Sequence, residues 1–382
     1  MSKIKVLYVD SGFSANWGGS KSLLNLINSV KNEIEPLVLF TSKVSDGMLL
    51  KQNNITYTYF VCRSIKISFS VRPFKKLFSY PFKVFKSIFF NLYAVYKITQ
   101  LIKKEKVDIV HTNTSVVAAG IIASKLADVK HVWHLREYQF GWYPFIGFNL
   151  LRALIKKSDA VISITKDIKK FFKCEKADVI YDAVLKEVPA IIKNTDENYL
   201  LFCGSLSDAK RPIDALNAFI SLSEHYPALK LKIAGTGTLE KKLKQLAIES
   251  PCADKIEFLG HVADPLPLFA NAKAFLMTSL SEGLGRVTIE AMFCGCPVIG
   301  RNSGGTSELI TDGKTGWLFN NFDELIGKIK LVLTQPETET VKVTNEAKKW
   351  ASGMFLEHSY GPQLMQVYKR LISPGQTADT ER

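Results

Sequence analysis

The residues whose spacing best suits chemistry lie in Ser281-Glu282-Gly283-Leu284-Gly285-Arg286-Val287-Thr288-Ile289-Glu290, where seven residues separate two glutamates. Glycine lets backbone N–H groups come close to a ligand. A carboxylate accepts hydrogen bonds from paired hydroxyls such as those of a sugar. An apolar run ends near Ser279 and a helical pattern begins after Gly285. Glu282 therefore falls in a strand-to-helix loop, with Glu290 about one turn into the helix. Two surface glutamates beside a helix are the plainer reading of the pair alone. The Gly-x-Gly between strand and helix turns the balance toward a ligand site, because in a doubly wound sheet that loop lies at the C-terminal edge where ligands bind.

Other segments repeat this strand–loop–helix grammar. Gly204-Ser205-Leu206-Ser207-Asp208-Ala209-Lys210-Arg211-Pro212 follows an apolar run and opens a helix, a natural place for phosphate. Lys210 and Arg211 supply cations there; solvated residues at a helix start are the alternative. Asn302-Ser303-Gly304-Gly305-Thr306 again puts glycines before a helix, offering free amides and the positive end of its dipole. Asn16-Trp17-Gly18-Gly19-Ser20 follows the first apolar run, as a ligand loop or an ordinary tight turn. Gly235-Thr236-Gly237 lacks the third glycine of a dinucleotide fingerprint and reads as a turn near the nucleotide. In Val132-Trp133-His134-Leu135-Arg136-Glu137-Tyr138, His134 is preferred to His131 because it falls at the strand's end. A satisfied core histidine is the alternative there, and His111 reads as structural. No Asp-x-Asp pair sits at a strand end, so no metal or other cofactor is expected. Cys294 and Cys296 have apolar neighbours and read as core thiols.

The elements needed to position these residues are legible as short apolar runs alternating with helical patterns. The first series of strands is expected at 6–9, 36–40, 55–60, 108–111, 130–135, 160–164 and 179–181, with helices over 20–30 and 115–126. Several runs are apolar on both faces, as strands of a covered parallel sheet must be. A polar stretch, 186–198, reads as a linker. A second series follows at 199–204, 231–234, 256–259, 274–277 and 297–299. The expectation is an α/β chain of two doubly wound domains with a cleft between them. These span 1–190 and 195–355, followed by an amphipathic helix over 356–372 that packs back toward the first domain, and a disordered tail over 373–382.

The run from Ser281 to Glu290, continued by Ala291-Met292-Phe293-Cys294-Gly295-Cys296-Pro297-Val298-Ile299, resembles the E-x7-E signature of the retaining GT-B glycosyltransferases of family GT4. The resemblance covers nearly the whole chain and is strongest over 199–320. It implies two facing Rossmann-like domains, the second holding most of a nucleotide-sugar donor. It also implies metal-independent sugar transfer with retention, without a protein nucleophile, to a glycan or lipid-linked acceptor in cell-surface polysaccharide or glycolipid synthesis. It assigns Glu282 to the donor sugar hydroxyls and Glu290 to the ribose. Gly283, Leu284, Gly285, Gly304 and Gly305 would line the donor, Gly18 and Gly19 would close over its phosphates, and His134 would reach the sugar. The family pattern at the phosphate site is Gly-Arg with Lys five residues on. Lys210 matches; Ser205 replaces the arginine, and Arg211 is the candidate for the missing charge. A nucleotide-sugar 2-epimerase shares this architecture, and Ser205 keeps open a non-catalytic nucleotide-sugar or glycan-binding protein.

The bulk numbers fit. The 382 residues suit two domains. A hydrophobic content of 47% fills two cores, and 37 Gly plus Pro argue against disorder. No secretory signal and no run of about 18 apolar residues is present, and scattered cysteines suit a reducing compartment, so a cytoplasmic protein is expected. The net charge of +14 is concentrated: residues 63–106 hold eleven Lys or Arg and one acid, Glu105. That block interleaves Lys with Phe, as in Lys75-Lys76-Leu77-Phe78 and Lys83-Val84-Phe85-Lys86. It is expected to rest on an anionic membrane surface, the alternative being phenylalanines packed on the sheet. No nucleic-acid-binding motif accompanies it.

Overall fold

The structure is a computed structural model describing residues 3–14, 18–42, 44–60, 80–115, 117–138, 146–190 and 197–372. The chain divides into two compact units, Met1–Asp182 with Glu357–Arg382, and Ala183–Leu356.

The first unit is built on seven parallel strands: β1 Ile4–Asp10, β2 Ile34–Phe40, β3 Thr56–Tyr59, β4 Ile109–Thr112, β5 Lys130–Leu135, β6 Ala160–Ser163 and β7 Asp178–Val179, ordered β3-β2-β1-β4-β5-β6-β7. Val6 to Val9 are buried without interruption, because helices cover both faces of a parallel sheet and leave no polar side. The helix Gly18–Val30 turns Leu23, Leu26, Ile27 and Val30 inward, the spacing of one helical face.

The second unit has six parallel strands: β8 Tyr199–Cys203, β9 Lys230–Ala234, β10 Ile256–Gly260, β11 Ala274–Met277, β12 Val298–Arg301 and β13 Trp317–Phe319, ordered β10-β9-β8-β11-β12-β13. Strand order reverses between β1 and β4 in the first unit and between β8 and β11 in the second. Crevices at such reversals, outside the C-terminal ends of the strands, are where open α/β sheets bind ligands.

One boundary differs from expectation. The chain passes from one unit to the other at Asp182–Ala183, upstream of the polar stretch at 186–198. The reason is local: Arg286 donates to the carbonyls of Ala183 and Val184, and Val184 N–H donates to Phe355 O. The segment is thus tied to the second unit before its composition turns polar. At the other end, the helix Glu357–Ile372 groups with the first unit and packs on the helix Gly18–Val30. Gly361 allows the approach, since a Cβ there would lie 2.5 Å from Ser29 O. The tail over 373–382 lies outside the described residues.

Candidate active site

In the second unit, the loops after β8, β9, β11 and β12 form one hydrogen-bonded rim. Leu206 N–H donates to Thr236 O, Leu280 N–H to Ala209 O and Gly305 N–H to Glu282 O. The Thr278 hydroxyl lies 3.0 and 2.9 Å from the carbonyls of Lys210 and Arg211. Gly305 is required for this lacing: a Cβ there would lie 2.3 Å from Gly283 O, so any side chain would part the loop carrying Glu282 from the helix Gly304–Leu309. Gly285, at φ +71°, makes the left-handed turn that starts the helix Arg286–Phe293.

This rim brings together residues far apart in sequence. Lys210 Nζ lies 2.5 Å from Glu282 Oε1, with 10% of the glutamate side chain exposed. Both come from loops at the β8/β11 reversal. Glu290 stands one turn beyond, 3.8 Å from the guanidinium of Arg286. Leu284 is buried, so it can offer a ligand only its backbone. Gly235-Thr236-Gly237 lies against Leu206.

Arg211 has a different setting from Lys210. It sits at φ +52° just before Pro212, and its guanidinium forks onto Asp214 at 2.8 and 3.1 Å. Asp214 also takes Arg301 Nη2 at 2.7 Å, while Arg301 Nε donates to Thr278 O. The reason lies in the helix: Asp214 falls in the first turn of Pro212–Leu222, where its carboxylate meets both cations. Arg211 is therefore engaged by a carboxylate unrelated to Glu282 or Glu290. Arg301 and Asp214 are additions that spacing alone did not flag; the available signal was an arginine ending a strand beside the Gly-Gly loop.

In the first unit, Gly18 and Gly19 begin a helix and are exposed, while Asn16 and Trp17 lie outside the described residues. His134 and His131 are both fully buried. His131 has both ring nitrogens occupied, by Thr112 at 2.8 Å and Ser158 at 3.0 Å, and burial pushes its pKa down to about 3. His134 has Nδ1 3.3 Å from His111 Nε2, while its Nε2 has no hydrogen-bond partner among the described residues and points toward Asp182 Oδ1 at 3.9 Å. Burial, with Arg136 nearby, holds both His134 and His111 well below the usual imidazole range. Arg136 bridges Asp182 and Asn113, and Asn113 donates to Asp10 at 2.6 Å. Burial lifts Asp10 to about 6 against the opposing pull of Asn113 and Arg136. Glu137 does not pair with Arg136 there; it accepts from Thr114 at 2.5 Å. Asp10, Asn113 and Asp182 went unflagged because each ends or follows a strand and looks like ordinary turn chemistry.

Among the described residues, no group of three or more His, Cys, Asp or Glu is placed to hold a metal ion. Cys294 and Cys296 are both buried. A separate cavity of about 770 Å³ opens at the opposite edge of the second sheet, beside Asn198, Leu229, Lys273 and Pro297, and holds none of these site residues.

The family model for Glycosyl transferases group 1 matches residues 186–350, and that for Glycosyltransferase Family 4 matches residues 50–184. The chain belongs to the GT-B glycosyltransferases. An uncharacterized glycosyltransferase of Haemophilus influenzae is 27% identical over 278 residues, covering 65% of this chain and 77% of that protein. A Campylobacter jejuni α-1,4-N-acetyl-D-galactosaminyltransferase, named for a diphosphoundecaprenol-linked acceptor, is 34% identical over 173 residues, 42% of this chain and 45% of its own. The solved structure of Anabaena HepE with UDP superposes at TM-score 0.78 with 21% identity, covering 96% of this chain and all of that one. That likeness is one of fold.

Proposed function

We propose that this glycosyltransferase moves a sugar from a nucleoside-diphosphate donor, with retention at the anomeric carbon, to a glycan or lipid-linked acceptor of the cell surface. The observation that carries the reading is the Lys210–Glu282 pair at the β8/β11 reversal. It sets a cation for a diphosphate beside a carboxylate for sugar hydroxyls. HepE, solved with UDP and with UDP-glucose, supports a nucleotide-sugar donor, and the Campylobacter relative supports a lipid-linked acceptor.

In this reading, the bond from the anomeric carbon to the phosphate oxygen breaks while the acceptor oxygen bonds to the same face. The acceptor's proton passes to the departing phosphate. The protein's work is chiefly electrostatic. Lys210 and the amides of Gly304 and Gly305 meet the charge gathering on the leaving group, Glu282 and the 283–285 backbone hold the sugar, and Glu290 holds the ribose. No metal enters the scheme. The test is a panel of nucleotide-sugars with and without EDTA, reading nucleoside diphosphate release. Acceptor-dependent release unaffected by EDTA is expected. Epimer formation without release would replace the reading with an epimerase, and binding without turnover would leave a binding protein.

Glu290→Ala is expected to weaken nucleoside diphosphate binding by about tenfold to a hundredfold, the value of one charge-assisted hydrogen bond. Glu282→Gln should leave that affinity near the parent's and lower turnover. Calorimetric titration separates them, and parent-like affinity in Glu290→Ala removes the ribose assignment.

The protein is proposed to act at the cytoplasmic face of an anionic membrane. Residues 63–79, and the side chains of Lys83 and Lys86, lie outside what is described. The rest of the helix Tyr80–Glu105 has two faces. Ala94, Val95, Ile98 and Ile102 pack into the core. Ile88, Phe89, Leu92, Tyr93 and Tyr96 are exposed, Leu92 by 65%. These aromatics are thus not packed on the sheet, and they adjoin exposed Lys97, Lys103 and Lys104. An apolar face edged with lysine suits the headgroup boundary of acidic lipid. No helix among the described residues is long and apolar enough to cross a membrane. Flotation with liposomes should increase with anionic lipid and fall with salt. It should drop for Phe89→Ser with Leu92→Ser, and for Glu at Lys75, Lys76, Lys83 and Lys86. Protein unbound under every condition would point to a soluble acceptor.

A further inference from the structure

A buried chain of four side chains runs from the C-terminal helix through the first sheet. The Tyr8 hydroxyl on β1 lies 3.0 Å from the Tyr368 hydroxyl, Tyr368 lies 2.6 Å from His111 Nδ1, and His111 Nε2 lies 3.3 Å from His134 Nδ1. All four residues are fully buried. We propose that Tyr368 and His111 are positioning residues that fix His134 as the tautomer protonated on Nε2, turning its outer nitrogen into a permanent hydrogen-bond donor. That His134 serves the donor sugar is what the family resemblance implies; the tautomer does not depend on it.

Two ends of the chain select the same direction. Each link carries one hydrogen, so protons run either outward, from Tyr8 toward His134, or inward. Inward, His134 Nδ1–H donates to His111, His111 Nδ1–H to Tyr368 and Tyr368 to Tyr8. Tyr8 then holds a hydroxyl hydrogen with nowhere to go, since its oxygen meets no other hydrogen-bond partner among the described residues. A buried donor left unpaired is costly. The inward direction also leaves a bare lone pair on His134 Nε2, facing the carboxylate of Asp182 at 3.9 Å. Outward, Tyr8 donates to Tyr368, Tyr368 to His111 Nδ1, and His111 Nε2–H to His134 Nδ1. Every hydroxyl hydrogen is then used, and Nε2–H faces Asp182. Burial keeps both imidazoles neutral, so two-proton states do not blur the choice. The second nitrogen's partner sets a histidine's tautomer; here that partner is set in turn by a tyrosine contributed by residues 357–372.

The test is ring ¹⁵N NMR on histidine-labelled full-length protein, with His134 signals assigned through His134→Gln. The parent should show a protonated-type Nε2 and an unprotonated-type Nδ1 at His134. Tyr368→Phe removes the donor to His111 and should give a mixture of tautomers at His134. Tyr8→Phe makes Tyr368 the last hydroxyl of the chain, which must still donate to His111, so His134 should keep the parent tautomer there; the parent spectrum carries the test if Tyr368→Phe fails to fold by circular dichroism. A parent His134 protonated on Nδ1, a mixture of tautomers in folded Tyr8→Phe, or ring shifts unchanged in folded Tyr368→Phe overturns the proposal. In the transfer assay Tyr368→Phe should lower kcat roughly threefold to tenfold while affinity for nucleoside diphosphate stays at the parent value. The expected tautomers with unchanged kcat would uphold the chain and remove His134 from the sugar.

Discussion

Lys210→Ala is expected to lower turnover by about a hundredfold to a thousandfold, the usual effect of removing one preorganised charge from a transition state, while Arg211→Ala falls by less. The asymmetry follows from where the two cations sit. Lys210 is joined to Glu282 across the reversal between β8 and β11, and its backbone is held by Thr278. Arg211 is committed to Asp214, which also binds Arg301. Ser205 stands where similar enzymes carry an arginine, so Lys210 has no equal partner at the diphosphate. Alanine at 210 also strips a nearly buried carboxylate of its cation, and that compounds the loss at the sugar. Lys210→Arg should recover part of the rate, and Ser205→Arg should be tolerated. Steady-state transfer kinetics decide the matter: parent rates in both alanine variants would place the phosphate site elsewhere.

Legibility in the sequence follows the range of the interactions. Strands such as Val6–Val9 and Ala274–Met277 are readable because a doubly covered sheet demands unbroken apolar runs, a local signal. The strand Trp317–Phe319 is three residues long, preceded by a turn in which Gly313 N–H donates to Gly316 O, too short for any period to register. The loop residues Glu282, Lys210 and Gly304–Gly305 are readable as separate loops, because glycine beside a helix start is a local pattern. Their meeting is not: the contact between Lys210 and Glu282 spans 72 residues and follows from strand order. The direction of Arg211 depends on a left-handed backbone angle and on Arg301, 90 positions later in the chain. His111 reads as structural in the sequence, and its partner Tyr368, 257 residues away, leaves no local trace. The crossing at Asp182–Ala183 escaped notice because composition marks solvent exposure, and the docking by Arg286 precedes the polar run.

Acid should destabilise the first unit as pH falls below about 6.5. His111, His131 and His134 are buried and neutral, with folded pKa values below the ordinary value. A group depressed on folding contributes stability that is present above its unfolded pKa, about 6.5 for histidine, and lost as pH falls from there toward the folded value. At pH 5 His131 forfeits about 2 kcal/mol, and His111 and His134 act in the same direction. Asp10 acts with the opposite sign. Its folded pKa is raised to about 6, so its contribution grows as pH drops through that value and returns about 1.4 kcal/mol at pH 5. Two further features set the size. Asp159 favours the charged form of His131 while Lys125 and Lys176 oppose it, and Arg136 opposes a proton on the His111–His134 pair. The net from neutral pH to pH 5 is a loss, which matters because only roughly 5–15 kcal/mol hold a domain together. Urea unfolding followed by tryptophan fluorescence reports it, since Trp133 is wholly buried beside these histidines on β5. The urea midpoint should fall as pH drops, and His131→Gln should lessen that fall. A midpoint that holds steady from pH 7.5 to 5 would mean that the three rings accept protons in the folded chain.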